Sequence, residues 1–282
     1  MLLSQEEISK GMQFYQIKDK EYYNKCMKAL EQIKQKNLLD NFEKIYNILY
    51  LSKNREIDKL WDYKNIEKLF GDNIPFITNV MVILGYKTHI ENINKLNYSQ
   101  KQIEIQKNRV KECLTKDINI KKLDSIRISQ MLWGAYFING RLIEVGRLQY
   151  ELDDNNIFIH IPVGEKLSYQ KVIDSLNNSN KYINKYFNIS NYFYYCNSWL
   201  LSPQLKSMLN NTSNIIQFQQ LFNIKEGKSC IEDILNFVFN IDEINDYKLL
   251  EEKTELQRNI KQYLLNGNDI KLGLGKLKID EV

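Results

Sequence analysis

Over the first 120 residues apolar side chains return every three or four positions, as in residues 41–51 and 57–70. From Arg141 they return every second position. The first interval is the period of a helix with one buried face, the second that of a strand. A chain written this way has to make helices first and a sheet afterwards, which is the α+β class. Its 282 residues suffice for about two domains at roughly 150 residues each. The expected division is a helical N-terminal domain over residues 1–120 and a mixed-sheet domain over residues 121–282.

Composition removes several function classes. Lys and Arg number 39 against 35 Asp and Glu, a net charge of +4, with no basic stripe of the kind that tracks a nucleic-acid backbone. No stretch is long, apolar and uncharged enough to predict a membrane span. Ser4-Gln5-Glu6-Glu7 follows Met1-Leu2-Leu3 at once, where a secretory signal would stay apolar. Cys26, Cys113, Cys196 and Cys230 form no CxxC pair, which argues against zinc and against a disulfide framework. The expectation is a cytoplasmic protein with free thiols and no metal. Its partner should be a small molecule, not a nucleic acid or a membrane.

Local signals place the elements. Ser4 with Glu7 and Ser99 with Gln102 have the spacing of capping boxes. Gly71-Asp72-Asn73 breaks a helix, Pro75 can open the next, and the helix opened at Ser99 should end near Thr115. His89, between Thr88 and Ile90, reads as a surface or helix-end histidine. Ile126, Ile128, Met131, Leu132, Ala135 and Tyr136 make a further helical face that Asn139-Gly140 stops. Residues 141–152 read as one strand, Asp153-Asp154-Asn155-Asn156 as a turn, and 157–161 as the partner strand. A helix is expected over 168–187 and an aromatic strand over 192–199. Helices follow over 203–209, 213–222, 230–239 and 249–265, then a glycine-punctuated strand over 269–278.

Pairing Leu152 with Ile157 across the turn sets Gln149 opposite His160 and Glu151 opposite Phe158. Alternation then gathers Arg147, Gln149, Glu151, Phe158 and His160 on one face. Leu148, Tyr150, Leu152, Ile157, Ile159 and Ile161 share the other, which suits covering helices. Glu144, counted along the same strand, falls on the face away from Glu151. A register shift of one residue would dissolve this alignment. The polar face has the groups to relay a proton, and it also suits a solvated sheet surface.

Four segments carry a family resemblance: GRLQYE at 146–151, IHIPVG at 159–164, CNSWLLSP at 196–203 and SNIIQFQQLF at 213–222. Together they resemble a bacterial acyltransferase-like family with a helical N-terminal domain and a GNAT-like C-terminal domain. The resemblance implies a splayed mixed sheet with an acyl-CoA cleft between two central strands, 157–161 being the fourth strand of that fold. It implies acyl-CoA, acetyl-CoA or longer, as co-substrate and an amine as acceptor. Pantetheine would run along the backbone from Ile161 to Val163. Pyrophosphate would meet the N–H groups around Gly164 and Ser168, with Lys166 as an added cation; a helix N-terminus is suited to phosphate. Where GNAT enzymes usually carry Gln/Arg-x-x-Gly-x-Gly/Ala, this chain has Val163-Gly164-Glu165-Lys166-Leu167-Ser168, with one glycine and an acid.

Direct acyl transfer needs a base for the amine, donors for the oxyanion and an acid for the leaving thiolate. Glu151 and His160 are the base candidates. On the strand over 192–199, Tyr194, Cys196 and Ser198 share one face and Tyr195 and Asn197 the other. Alternation alone does not choose between the two tyrosines as the acid; Tyr195 joins Glu151, His160 and Cys196 as a catalytic candidate. Cys196 paired with His160 would be a nucleophile forming a covalent thioester, although a lone strand cysteine also serves as inert packing. Asn214, Gln217 and Gln219 suit either a cleft wall or a helix surface. The competing functions are a non-catalytic GNAT-like binding protein with a degenerate pyrophosphate loop and a Cys–His acyl hydrolase.

Overall fold

The computed structural model describes residues 3–51, 56–62, 66, 70, 76–154, 156–187 and 192–278. It divides into two compact units, Met1–Ile143 and Glu144–Val282. The first is helical: α1 (Gln5–Phe14), α2 (Lys20–Gln35), α3 (Leu39–Tyr50), a 3-10 turn (Glu56–Trp61), α4 (Ile77–Leu84), α5 (Tyr86–Leu96), α6 (Gln100–Asn119) and α7 (Ile128–Ile138). Ser4 and Ser99 cap α1 and α6, accepting from the amides of Glu7 and Gln102 at 3.2 and 3.3 Å. Helix α4 is buried along its whole length, the mark of a central helix, and α1, α2, α6 and α7 pack on it. Its Asn79 donates to Tyr22 Oη at 2.7 Å and accepts from the Ile126 amide at 3.1 Å.

Several boundaries differ from the sequence reading. Helix α6 continues past Thr115 to Asn119, because the buried Asp117 carboxylate accepts from the Arg127 amide and guanidinium at 2.9–3.1 Å and anchors the last turn. The helix expected over 57–70 opens as a 3-10 turn; the break at Gly71-Asp72-Asn73 and the start at Pro75 lie outside the described residues. His89 is not on the surface. It is 1% exposed, and Tyr15 Oη lies 3.2 Å from its Nδ1. Tyr86, His89 and Ile93 are spaced three and four apart and are buried together on α5, so the helical period carried this signal.

The second unit carries β1 (Leu142–Val145), β2 (Leu148–Asp153), β3 (Asn156–His160), α8 (Tyr169–Phe187) and β4 (Phe193–Ser198). Two 3-10 turns, α9 (Asn214–Gln220), β5 (Phe222–Ser229), α10 (Ile231–Ile234), α11 (Glu255–Leu265) and β6 (Lys271–Leu277) follow. The division between the units falls inside β1. The six strands form one sheet in the order β1-β2-β3-β4-β6-β5. Strands β3 and β4 run parallel, while β2–β3, β4–β6 and β5–β6 are antiparallel. The single strand expected over 141–152 is broken by a turn at Gly146-Arg147 into β1 and β2. Strand β5, where no element was expected, exposes Asn223, Lys225, Glu226 and Lys228. It is an edge strand, and charge is how edges resist further pairing. Helix α8 packs against β2, where Tyr150 Oη meets Ser175 Oγ at 2.9 Å and, on β4, Tyr194 Oη meets Ser179 Oγ at 2.7 Å.

Candidate active site

The hairpin has the register that alternation and the turn require. Gln149 lies opposite His160, Glu151 opposite Phe158 and Leu152 opposite Ile157. Gln149, Glu151 and His160 therefore share a face, and His160 Nε2 stands 2.9 Å from Glu151 Oε2. The carboxylate accepts, so Nε2 is the donor of this pair. The Glu151 side chain is 13% exposed and that of His160 31%, so the dyad is shielded on one side and reachable on the other. Gln149 Nε2 donates to Glu144 Oε2 at 2.9 Å, with both residues buried. Glu144 thus joins the polar face it was expected to avoid. The turn at Gly146-Arg147 restarts the alternation, so counting along one uninterrupted strand gives the wrong side.

Next to the dyad the sheet opens. The ladder between β3 and β4 pairs Asn156 with Phe193, Ile157 with Tyr194 and Phe158 with Tyr195, and there it ends. Beyond that point β3 continues to His160, while Cys196, Asn197 and Ser198 of β4 stay paired along the strand's other edge with Gly275, Leu274 and Gly273 of β6. Two parallel strands parting in mid-sheet leave main-chain N–H and C=O groups along the gap, which need partners. His160 stands at one lip of this gap.

The two tyrosines separate cleanly. Tyr194 is buried, bonded to Ser179 and Asn180, and burial pushes its hydroxyl far above the usual tyrosine range. Tyr195, the register partner of Phe158, lies on the face of the dyad, its ring 5.8 Å from that of Phe158. Cys196 is fully buried on the opposite face, and burial drives its thiol well above the ordinary value. A thiol so placed is in its unreactive form at neutral pH.

Strand β3 leads into the loop that holds the proposed coenzyme contacts. Arg147 Nη1 donates to Pro162 O at 2.9 Å and ties the loop to the turn after β1. Ile161 is half-buried and Val163 is 71% exposed. Gly164 has φ +147 with open space around it, a conformation that side chains with a Cβ rarely adopt. Ser168 O accepts from the Val172 amide at 3.1 Å, so the first amides of α8 face outward from the helix. Glu165 pairs with Lys171, whose ammonium holds the carboxyl below the usual range. Lys166 is exposed. Gln219 is no cleft residue: its amide donates to Leu200 O and Ser202 O, each at 2.9 Å. Asn214 is exposed at the start of α9.

Residues 142–277 match the family model for the GNAT-like C-terminal domain. This half of the chain is a GNAT-like domain. Solved acyltransferases have a similar fold. One, in complex with decanoyl-CoA, has a TM-score of 0.65 at 15% identity over 96% of this chain and 98% of its own. A second, in complex with CoA and 10C-teicoplanin, has a TM-score of 0.64 at 18% identity over 80% of this chain and 79% of its own. A third, a mutant acyltransferase in complex with octanoyl-CoA, has a TM-score of 0.63 at 20% identity over 74% and 68%. A search of curated proteins returns no significant match.

Within the GNAT-like domain, Asn197 and Lys276 were not among the expected site residues. Asn197 is exposed on the far lip of the gap, on the face of Tyr195, and Lys276 is the β6 partner of Tyr195. Alternation already set Asn197 on the face of Tyr195, but the β4–β6 pairing is what brings Lys276 there. Among the described residues no cluster of three or more His, Cys, Asp or Glu is placed to hold a metal ion, and no helix is long and apolar enough to cross a membrane.

Proposed function

We propose that the protein transfers an acyl group from an acyl-CoA thioester to an amine, with the thioester lying in the gap between β3 and β4. The observation that carries this reading is the end of the β3–β4 ladder at Phe158 and Tyr195, with the His160–Glu151 dyad beside it. Pantetheine is an extended chain of amides, and the backbone from Ile161 to Val163, just beyond the end of the ladder, suits it. Pyrophosphate would meet the amides near Gly164 and Ser168 at the start of α8, with Lys166 as an added cation.

In this scheme His160 Nδ1 takes the proton of the attacking amine and Glu151 orients the ring and steadies the imidazolium. The amine nitrogen bonds to the thioester carbon, the C–S bond breaks, and Tyr195 returns a proton to the departing thiolate. Cys196 takes no part. The products are an amide and free CoA. Solved proteins of this fold bound to octanoyl- and decanoyl-CoA support testing longer thioesters alongside acetyl-CoA. Four buried free cysteines suit a reducing compartment, and with the bacterial family resemblance they support a bacterial cytoplasm as the proposed location.

The competing reading is a binding protein without catalysis, favoured by the Glu165–Lys171 pair in the loop where an anion would enter. Calorimetry with acetyl-, octanoyl- and decanoyl-CoA, followed by thiol release in the presence of amines, separates them. Transfer predicts micromolar or weaker binding, about −8 kcal/mol or less favourable, and amine-dependent release of CoA. Binding without release leaves the binding protein, and silence with every thioester favours a binding protein with a degenerate pyrophosphate loop over the enzyme.

A further inference from the structure

The row of residues that starts at Glu151 continues past the gap. Through register partners it runs to Phe158, Tyr195, Lys276 and Asn223, crossing β3, β4, β6 and β5. Residues directly opposite one another share a face, so this side of the sheet extends from the dyad over an aromatic floor to an ammonium group. Lys276 Nζ lies 3.8 Å from the centre of the Phe193 ring and 5.9 Å from that of Tyr195. Cation–π contacts of this kind hold a lysine in place without neutralising it. The neighbouring row adds Asn197, Leu274 and Lys225. Phe193 and Leu274 are 45% and 38% exposed, and among the described residues neither Lys276 nor Lys225 is paired with a carboxylate. Glu151, the acid of these rows, is held by His160.

We propose that this open face is the acceptor subsite and that it selects amines carrying an anionic group. The acceptor's amino group meets the dyad, its ring or apolar body lies on Phe158 and Tyr195, and its carboxylate or phosphate meets Lys276, with Lys225 next in line. Lys276 is two strands from Phe158, which at the spacing of neighbouring strands sets amine and anion about 10 Å apart. The position of the amine rests on the acyl-transfer reading above; that of the anion rests on the lysines alone.

The test compares para-(aminoethyl)benzoate with phenethylamine, which differ only in the carboxylate. Ligand-observed NMR titration of the full chain measures binding without turnover. The benzoate should bind about tenfold more tightly, and a Lys225→Met, Lys276→Met double variant should bring the two within about twofold. Equal affinities in the wild type, absence of binding by both included, overturn the proposal, as does an unchanged preference in the double variant. Thiol release from decanoyl-CoA is the second arm. Benzoate binding without thiol release would sink acyl transfer and leave the anion subsite standing. Equally fast release with both amines would sink the subsite and leave acyl transfer standing.

Discussion

Acid should strip stability from the helical unit through His89. Its ring is 1% exposed, set against the edge of Phe14 with centroids 5.6 Å apart, and Tyr15 Oη lies 3.2 Å from Nδ1. Burial, with Lys107 nearby, lowers its pKa to about 3 from an ordinary 6.5. Between those two values the unfolded chain binds a proton that the folded protein refuses. The contribution is therefore intact above pH 6.5 and is lost as pH falls toward 3. Going from about pH 7 to about pH 4.5, the loss amounts to about 2–3 kcal/mol, at up to about 1.4 kcal/mol per pH unit. His89→Gln keeps an acceptor for Tyr15 and never takes a charge. Urea unfolding followed by far-UV circular dichroism should show the wild type losing that much more stability than the variant over this range. Carboxylates titrate in both proteins, so the difference isolates His89. A wild-type-minus-variant difference constant to within about 0.5 kcal/mol would refute the reasoning, because a linked proton must appear as a slope.

Three further outcomes follow from the second unit. His160→Ala should lower kcat/KM for thiol release about a hundredfold or more with little change in affinity for the acyl-CoA; wild-type turnover would remove His160 as the base. Cys196→Ala should keep turnover while costing about 1 kcal/mol or more of stability, and native protein should resist iodoacetamide at this position; a labelled Cys196 peptide from folded protein contradicts its burial. Gly273→Ala puts a Cβ 2.0 Å from Leu201 O, an overlap with main chain that should cost about 1–3 kcal/mol or more. A melting temperature equal to that of the wild type would show that the close approach is not there.

The sequence by itself determined the order of helices before sheet, the caps at Ser4 and Ser99, and the register of the β2–β3 hairpin. These are local: period, cap and turn act within a few residues, and a four-residue turn between alternating strands leaves one pairing that buries the apolar side. So Glu151 and His160 were legible as neighbours before any coordinates. The tertiary structure alone decided the rest of the site. Periodicity says which face of a segment is covered but not which segment covers it. Nothing within β4 says that its ladder with β3 ends at Tyr195 or that its other edge pairs with β6, nearly eighty residues further on. These pairings leave the gap beside His160, set Tyr195 on the face of the dyad and Tyr194 on the other, and bring Lys276 to the face of Tyr195. The sheet also makes a strand of the polar residues after Phe222, which have no alternation of their own and pair only because β6 is there. Partners far apart in the chain are chosen by the free energy of the assembled sheet, and that term exists only once the strands meet.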